Sequence, residues 1–316
     1  MTRHIYCIGE ALIDFACTDS LGLRHGKQFE KNAGGAPANV AAAVAKLGGD
    51  ISFLGQVGKD DFGDHLKDTL IEHGVQTQGM IQAGTTTLAF VGINPTGERH
   101  FSFVRGADGD YEATNLPLSE IDATDIVHFG AALGFCGGAL EESYFRLRDE
   151  AIAKGAFISF DPNYRETLID PEDLAAYLAK VRSFIVVADF VKLSDEELTL
   201  ITGETDIRQG AQQICALGAK YLAVTLGKEG TLLQSVEAQE VVGSIAIKQV
   251  DSTGAGDAFT GGLLYQIQKA GTAELTFTKL VDFLAVANVV GALTCTKYGA
   301  IPALPTLEEV ELVIAK

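Results

Sequence analysis

Along most of this chain, short apolar runs of strand length alternate with longer stretches patterned at helical spacing. No other feature limits the fold as much. Ile5–Ile8, Ile51–Leu54, Ile126–Phe129, Phe157–Phe160, Phe184–Lys192 and Tyr221–Thr225 read as buried strands. Pro37–Leu47, Asp61–His73, Ala139–Lys154, Pro171–Val181, Asp195–Thr202 and Ile207–Leu217 read as helices between them. Strands separated by helices pair in parallel through crossovers, and the helices then cover both sheet faces. The expected fold is therefore α/β, a mostly parallel sheet with helices on both faces. In such sheets ligands bind on loops beyond the carboxyl ends of the strands.

Two segments break the rhythm. Residues 13–29 and 85–104 carry alternation and turn residues but little helical pattern. Thr87–Ile93, a turn at Asn94-Pro95-Thr96-Gly97, and Arg99–Val104 read as a hairpin. Both segments fit a small β-sheet built from insertions and standing off a single domain over residues 1–316. No linker, repeat or low-complexity tract divides the chain. An appended sheet exposes edge strands, so pairing of two subunits through it is a natural expectation.

Composition excludes some partners. The formal net charge of −18 disfavours nucleic acid and anionic membranes. It leaves room for an anionic nucleotide, which needs only a local site. No apolar run is read as membrane-spanning, and the N-terminus carries no signal-peptide pattern. The five cysteines are scattered, without CxxC or Cys/His ligand spacing, which fits reduced thiols in the cytoplasm. The six histidines suggest no metal pair.

The richest chemistry lies in Asp251-Ser252-Thr253-Gly254-Ala255-Gly256-Asp257-Ala258-Phe259. The alternating Ser244–Val250 before it reads as a strand, and Ala258–Gln268 after it as a helix. Strand, glycine turn and helix start aim free backbone N–H groups and a helix dipole at one point, which suits an anion such as phosphate. Asp257 would repel that anion unless it has a task there. Taking a proton from a hydroxyl that attacks phosphorus is such a task. The alternative is an Asp that caps a helix after an ordinary glycine turn.

A second glycine run, Ala33-Gly34-Gly35-Ala36-Pro37-Ala38-Asn39-Val40-Ala41, permits tight backbone approach, with Pro37 suited to a first helical turn. Asn39 would sit in that turn with its amide free to bind hydroxyls. Phe160-Asp161-Pro162-Asn163-Tyr164-Arg165 puts polar groups at a strand's carboxyl end, where substrate or phosphate binds, or where a surface Asp–Arg pair forms.

The segment Asp251–Leu264 resembles the second signature of the PfkB (ribokinase-like) carbohydrate kinases. Ala33–Ala41, with Gly48-Gly49 and Gly55–Gly63 downstream, resembles the first. The resemblance covers essentially the full length. It implies a ribokinase-like fold with a β lid and transfer of the ATP γ-phosphate to a sugar hydroxyl, with Mg²⁺ bridging the phosphates. Asp257 is then the catalytic base, and Gly254, Ala255 and Gly256 form the anion hole. Gly34 and Gly35 are hinge and sugar contact, and Asp14 and Asn39 bind sugar hydroxyls. The DPNYR run is similar to fructokinases and 2-keto-3-deoxygluconate kinases of the family. It brings Asn163 to the substrate and Arg165 to the phosphoryl-transfer site. Arg105, before Ala107-Asp108, resembles a fructokinase lid-edge residue that contacts sugar hydroxyls or a substrate carboxylate.

On the nucleotide side, the resemblance implies ATP-binding roles for Lys192, Thr225, Gly227, Gly230 and Asn288. Glu197 matches a motif that organises Mg²⁺ through water, with Ser194 where Asn is common. A helix cap by Ser194 is a complete alternative account of this acidic run. Asp251, Thr253, Thr294, Lys297 and Gly299 align with a monovalent cation site. Ala303 stands where the family has a hydroxyl, which bears against K⁺ activation.

Fructose, giving fructose 6-phosphate, is the expected substrate. A 2-keto-3-deoxygluconate kinase or a nucleoside kinase is the alternative within the family, and a non-catalytic binding module lies outside it. A dinucleotide-dependent oxidoreductase would need GxGxxG after the first strand, which is missing.

Overall fold

The computed structural model describes residues 3–19, 21–93 and 99–315. In chain order the strands are β1 (Ile5–Ile8), β2 (Leu12–Cys17), β3 (Phe29–Gly34), β4 (Ile51–Val57), β5 (Met80–Gln82), β6 (Leu88–Ile93) and β7 (Arg99–Val104). Then follow β8 (Ile126–Gly130), β9 (Phe157–Asp161), β10 (Phe190–Ser194), β11 (Tyr221–Thr225), β12 (Thr231–Ser235) and β13 (Gln239–Val242). The helices are α1 (Gly22–His25), α2 (Ala36–Lys46), α3 (Asp61–Glu72), α4 (Ala139–Lys154), α5 (Leu174–Ile185), α6 (Asp195–Thr202), α7 (Ile207–Leu217), α8 (Ala255–Ala270), α9 (Phe277–Thr294) and α10 (Leu307–Ile314).

Among the described residues, nine strands form the main sheet in the order β13-β12-β11-β10-β9-β8-β1-β4-β5. All neighbours from β11 to β5 pair in parallel, and β12 and β13 add an antiparallel edge. Period-two alternation on β1 sends side chains to opposite faces. Ile5 and Cys7 join the core under α2, α8 and α9, while Tyr6 and Ile8 join the core under α4, α5, α6 and α7. This is the α/β architecture that the alternation predicts.

The second sheet has the order β3-β2-β6-β7. Its β2/β3 and β6/β7 pairs are antiparallel and its central β2/β6 pair is parallel. Phe15 stacks on Phe90 with ring centroids 5.4 Å apart and meets Phe62 of α3 edge-on at 5.7 Å. The first of the two insertions differs from its expected extent. The first insertion runs on to Gly34, because β3 pairs with the whole of β2, and the single helical turn α1 interrupts it. The turn expected at Asn94–Gly97 lies outside the described residues.

Other expectations differ as well, among them the helices expected over Pro171–Val181 and Ala258–Gln268, which run over Leu174–Ile185 and Ala255–Ala270. Ser244–Val250 is not a strand. Only Ile245–Lys248 alternates between half-buried and exposed, among the described residues no strand pairs with it, and β13 ends before Gly243. Alternation gives an extended chain, and a ladder also needs a partner. The strand expected over Phe184–Lys192 starts only at Phe190. Phe184 and Ile185 are instead the last turn of α5, fully buried among the aromatic rings of α4 and β8. Finally, the 18-residue α9 is apolar enough by length and composition to cross a membrane, contrary to the sequence reading. It buries Leu280, Leu284, Ala287 and Val290 in the core it shares with α8.

Candidate active site

The carboxyl ends of the parallel strands converge on the N-terminus of α8. Gly254 is the N-cap, with φ +73°. A Cβ there would stand 2.5 Å from the Ala300 Cβ, so only glycine fits the turn. Ala255, Gly256 and Asp257 form the first helical turn, with backbone N–H groups that have no partner inside the helix. Asp257 is therefore not the cap, which removes the alternative reading of its sequence position.

Asp257 is 8% exposed. Its Oδ2 accepts a 2.8 Å hydrogen bond from Asn39 Nδ2, and its Oδ1 accepts a 3.5 Å bond from Asn163 Nδ2. Burial pushes its carboxyl up to about 6, against the Asn39 hydrogen bond and with the help of Asp161. At neutral pH such a group is mostly ionised yet more basic than an ordinary aspartate, which suits a general base. Asn163 takes its place with φ +45° at the end of β9, where its N–H donates to Asp161 Oδ1 at 3.0 Å.

On one side of Asp257 a cleft of about 640 Å³ runs under the small sheet. Asp14, Asn39, Gly35 and Arg165 line it. Gly34 underlies Asp14, since a Cβ on Gly34 would collide with the Asp14 carboxylate. Gly35 has φ +103°, and a Cβ there would stand 2.5 Å from the Glu10 carbonyl. Asp14 touches water inside the cleft yet is enclosed by protein. Burial pushes its carboxyl up to about 7, with Asp257 adding to the effect and Arg165 opposing it.

Arg105 does not reach this cleft. Its Nε lies 3.3 Å from Asp108 Oδ2, and its guanidinium donates to the carbonyls of Leu133, Cys136 and Gly137. These contacts clamp the end of β7 to the loop after β8.

On the other side, a pocket of about 710 Å³ is lined by Thr225, Gly227, Gly230, Asn288 and the backbone of Ala255 and Gly256. Ile245 and Ile247 supply apolar wall, which explains the alternation of a segment that is not a strand. Asn288 builds this pocket from behind. Its Oδ1 accepts from Thr231 Oγ1 at 2.7 Å, and its Nδ2 donates to the Val242 and Gly243 carbonyls.

Lys192 lies outside that pocket. It lies below the α8 N-terminus, in a third cavity of about 720 Å³ that also holds Glu197, Asn163 and Asp257. Its Nζ is 3.1 Å from Asp161 Oδ2. Burial works against its charge, but Asp161, Glu197 and Asp257 outweigh that and hold its pKa above the usual value. Glu197 completes a capping box with Ser194, accepting from Ser194 N–H at 2.7 Å and from Tyr164 N–H at 2.6 Å. Both carboxylate oxygens are thus engaged by backbone, which fits a metal held through water better than direct ligation. Among the described residues no three His, Cys, Asp or Glu side chains group as a metal cluster.

Asp251 ties the two loops aligned with a cation site. Its Oδ1 accepts from Thr253 N–H and Oγ1, and its Oδ2 accepts from Gly299 N–H at 3.0 Å. Thr294 donates its hydroxyl to the Val290 carbonyl, and Lys297 pairs with Glu309 at 3.2 Å. Asp251 thus joins the 251–253 loop to Gly299.

Two acids had no individual role in the sequence. Asp161, read there only as part of a polar run, is the buried partner of Lys192, and Glu10 is a buried acid beside the Gly34–Gly35 turn. Their only signal was an acid at or just beyond the end of an apolar strand.

The family described as pfkB family carbohydrate kinase matches residues 2–307. Fructokinase-1 of Zea mays is 37% identical over 99% of this chain and 98% of its own length. The crystal structure of a Xylella fastidiosa fructokinase with bound ATP superposes with a TM-score of 0.88 at 34% identity, covering 100% of this chain and 99% of that one. The Vibrio cholerae O395 fructokinase with fructose, ADP and calcium bound gives a TM-score of 0.87 at 30% identity over 98% of each chain. Two glycine signatures in order, an acid at the N-terminus of α8 between two clefts, and relatives matched end to end lead to one assignment: the chain belongs to the pfkB family of carbohydrate kinases.

Proposed function

We propose that this carbohydrate kinase is an ATP-dependent fructokinase that makes fructose 6-phosphate. The observation that carries the reading is the charge of the cleft under the small sheet. Among the described residues that line it, Arg165 is the one cation, whereas Asp14, Glu30, Asp251 and Asp257 are acids, and Glu10 is buried in its wall. A neutral polyol donates hydrogen bonds to such a surface. The carboxylate of a keto-acid would need a free cation in it. Arg105, the other candidate, is bound to Asp108. The maize and Vibrio relatives, named as fructokinases, support the same choice.

Asp257 takes the proton of the attacking hydroxyl as its oxygen bonds to phosphorus, and the bond from phosphorus to the leaving ADP oxygen breaks. The N–H groups of Gly254–Gly256 and the α8 dipole stabilise charge on the moving phosphoryl group. Arg165, which lines both the sugar cleft and the cavity that holds Lys192, approaches the same group. Asn39 holds the base, while Asp14 and Asn163 orient the sugar side. Thr225, Gly227 and Gly230 form the ATP pocket with Asn288 behind them. Lys192 belongs with the phosphates. Mg²⁺, when bound, neutralises phosphate charge. Glu197 is the residue that fits it, through water. The calcium-bound Vibrio form supports a divalent ion in general. A monovalent ion such as K⁺ would rest on carbonyls of the 251–253 and 294–299 loops.

We further propose one kinase domain with the small sheet as its inserted lid, closing about Gly34–Gly35 to exclude water. A homodimer through the lid edge and a cytoplasmic location complete the reading. Steady-state kinetics on fructose, 2-keto-3-deoxygluconate and nucleosides with ATP tests the substrate. A preference of tenfold or more in kcat/KM for the keto-acid, about 1.4 kcal/mol, overturns fructose and leaves the kinase standing.

A further inference from the structure

Glu10 is a buried acid that takes no step in the mechanism. Glu10 follows β1 and is 1% exposed. Its Oε1 accepts a 3.1 Å hydrogen bond from the N–H of Ala36, the first residue of α2. Its Oε2 is buried and has no partner. Its backbone carbonyl is the atom that forbids a Cβ on Gly35. The Gly34–Gly35 turn therefore rests on Glu10, whose side chain reaches across to hold the next N–H. Asn39 lies one turn on. Its N–H donates to the Gly35 carbonyl at 2.8 Å, and its Nδ2 holds Asp257. Asn39 Oδ1 is a second buried atom without a partner. A continuous chain of contacts thus runs from Glu10 through the first turn of α2 to Asp257. An acid with an unmet oxygen in this place is costly to bury, so its retention calls for a role that a smaller residue would not fill.

We propose that Glu10 is a positioning residue for phosphoryl transfer: by holding the Ala36 N–H it fixes the first turn of α2, and with it the angle at which Asn39 meets Asp257. This rests on the reading of Asp257 as the base. The groups that face Glu10 are Cys7 on β1, Asp108 after β7 with Arg105 bound to it, Cys136 after β8, Tyr144 on α4 and Asp257 on α8. Burial pushes the Glu10 carboxyl up to about 8, opposed by backbone N–H groups and aided by Asp108 and Asp257. At neutral pH it is then mostly protonated. Its ionisation at higher pH adds a negative charge close to the base.

The test compares Glu10→Gln, Glu10→Ala and Asp257→Asn in the full chain, measuring kcat and both KM values from acid to alkaline pH. The Gln variant keeps an oxygen for the Ala36 N–H. It should hold kcat within about threefold and lose an alkaline limb near the Glu10 pKa. The Ala variant should lose about tenfold or more in kcat with KM for ATP unchanged. An Ala variant with wild-type kcat overturns the proposal. So do equal losses in both variants with an unaltered pH profile, which would mean packing alone. Should the Ala variant not fold, the pH profile of the Gln variant decides. An active Asp257→Asn would sink the base reading and this proposal together. An inactive Asp257→Asn beside a wild-type-like Glu10→Ala would sink this proposal only.

Discussion

The two sides of the α8 N-terminus are made of different material. The cleft proposed for the sugar is shaped by side chains: Asp14, Asn39, Asp257 and, behind them, Glu10. The pocket proposed for the nucleotide is shaped by main chain: Gly227, Gly230, the Val242 carbonyl, and Asn288 bonding carbonyls from behind. The first half is governed by protonation and hydrogen-bond direction, so it is sensitive to changes of one atom. The second is governed by backbone dihedrals, so it is sensitive to an added Cβ and tolerant of changes in charge.

The strongest attempt to break this contrast replaces one atom in the side-chain half. Asp257→Asn keeps size and can still meet Asn39 and Asn163, but it cannot take a proton. We expect kcat to fall by about 10²–10⁴, with fructose and ATP binding by calorimetry nearly intact. A kcat within a few-fold of wild type would make Asp257 structural.

The next effect is pH dependence confined to the same half. Burial raises the carboxyls of Asp257, Asp14 and Glu10 to about 6, 7 and 8. The base must be ionised, so kcat/KM should fall about tenfold per pH unit below an apparent pKa near 6. These groups interact, so the observed values belong to the cluster. Stability runs the other way. Raised carboxyls bind protons more tightly when folded, so their contribution is full below the ordinary carboxylate range and is lost as pH rises through about 6 to 8. Thermal melts across this range should show stability falling as activity rises, and Asp257→Asn should flatten the lower step. Melts whose midpoint climbs over that window would contradict these shifts.

The main-chain half is probed by Gly230→Ala. Gly230 has φ +104°, and a Cβ there would strike the Val242 carbonyl. Strain of about 1–3 kcal/mol should appear as a several-fold to roughly tenfold rise in KM for ATP, while KM for fructose stays put. If both KM values climb together, the halves are not separable.

The same contrast explains what the sequence made legible. Glycine runs and strand-helix alternation are local signals, and they located both signatures, α4, α6, α7 and β11 to the residue. Three features were decided by partners distant in sequence. Ser244–Val250 alternates like a strand but has no strand to pair with. Phe184 and Ile185 look strand-like yet complete the buried face of α5. Lys192 lies under the α8 N-terminus, outside the pocket of Thr225, Gly227 and Gly230, because it pairs with Asp161 on the neighbouring strand. Glu10 left almost no trace, because one acid in an apolar run does not reveal whether it will be buried.

Arg105 gives the smallest kinetic effect and sharpens the contrast most. Its sequence context suggested a hand on the substrate. In the fold its guanidinium bridges Asp108 and the carbonyls of Leu133, Cys136 and Gly137, and Asp108 in turn accepts from the Thr87 hydroxyl. Asp108 is buried, and burial raises its carboxyl, with the Thr87 hydrogen bond and Arg105 opposing. Removing Arg105 leaves a buried carboxyl and three carbonyls short of a donor, a loss of about 1–3 kcal/mol. Arg105→Ala should therefore lower the melting temperature by several degrees and leave KM for fructose within about twofold. Lys, with one point charge, cannot span the fork and should rescue only part of the stability. A large rise in fructose KM at unchanged stability would return Arg105 to the substrate, and with it a cation that a keto-acid could use.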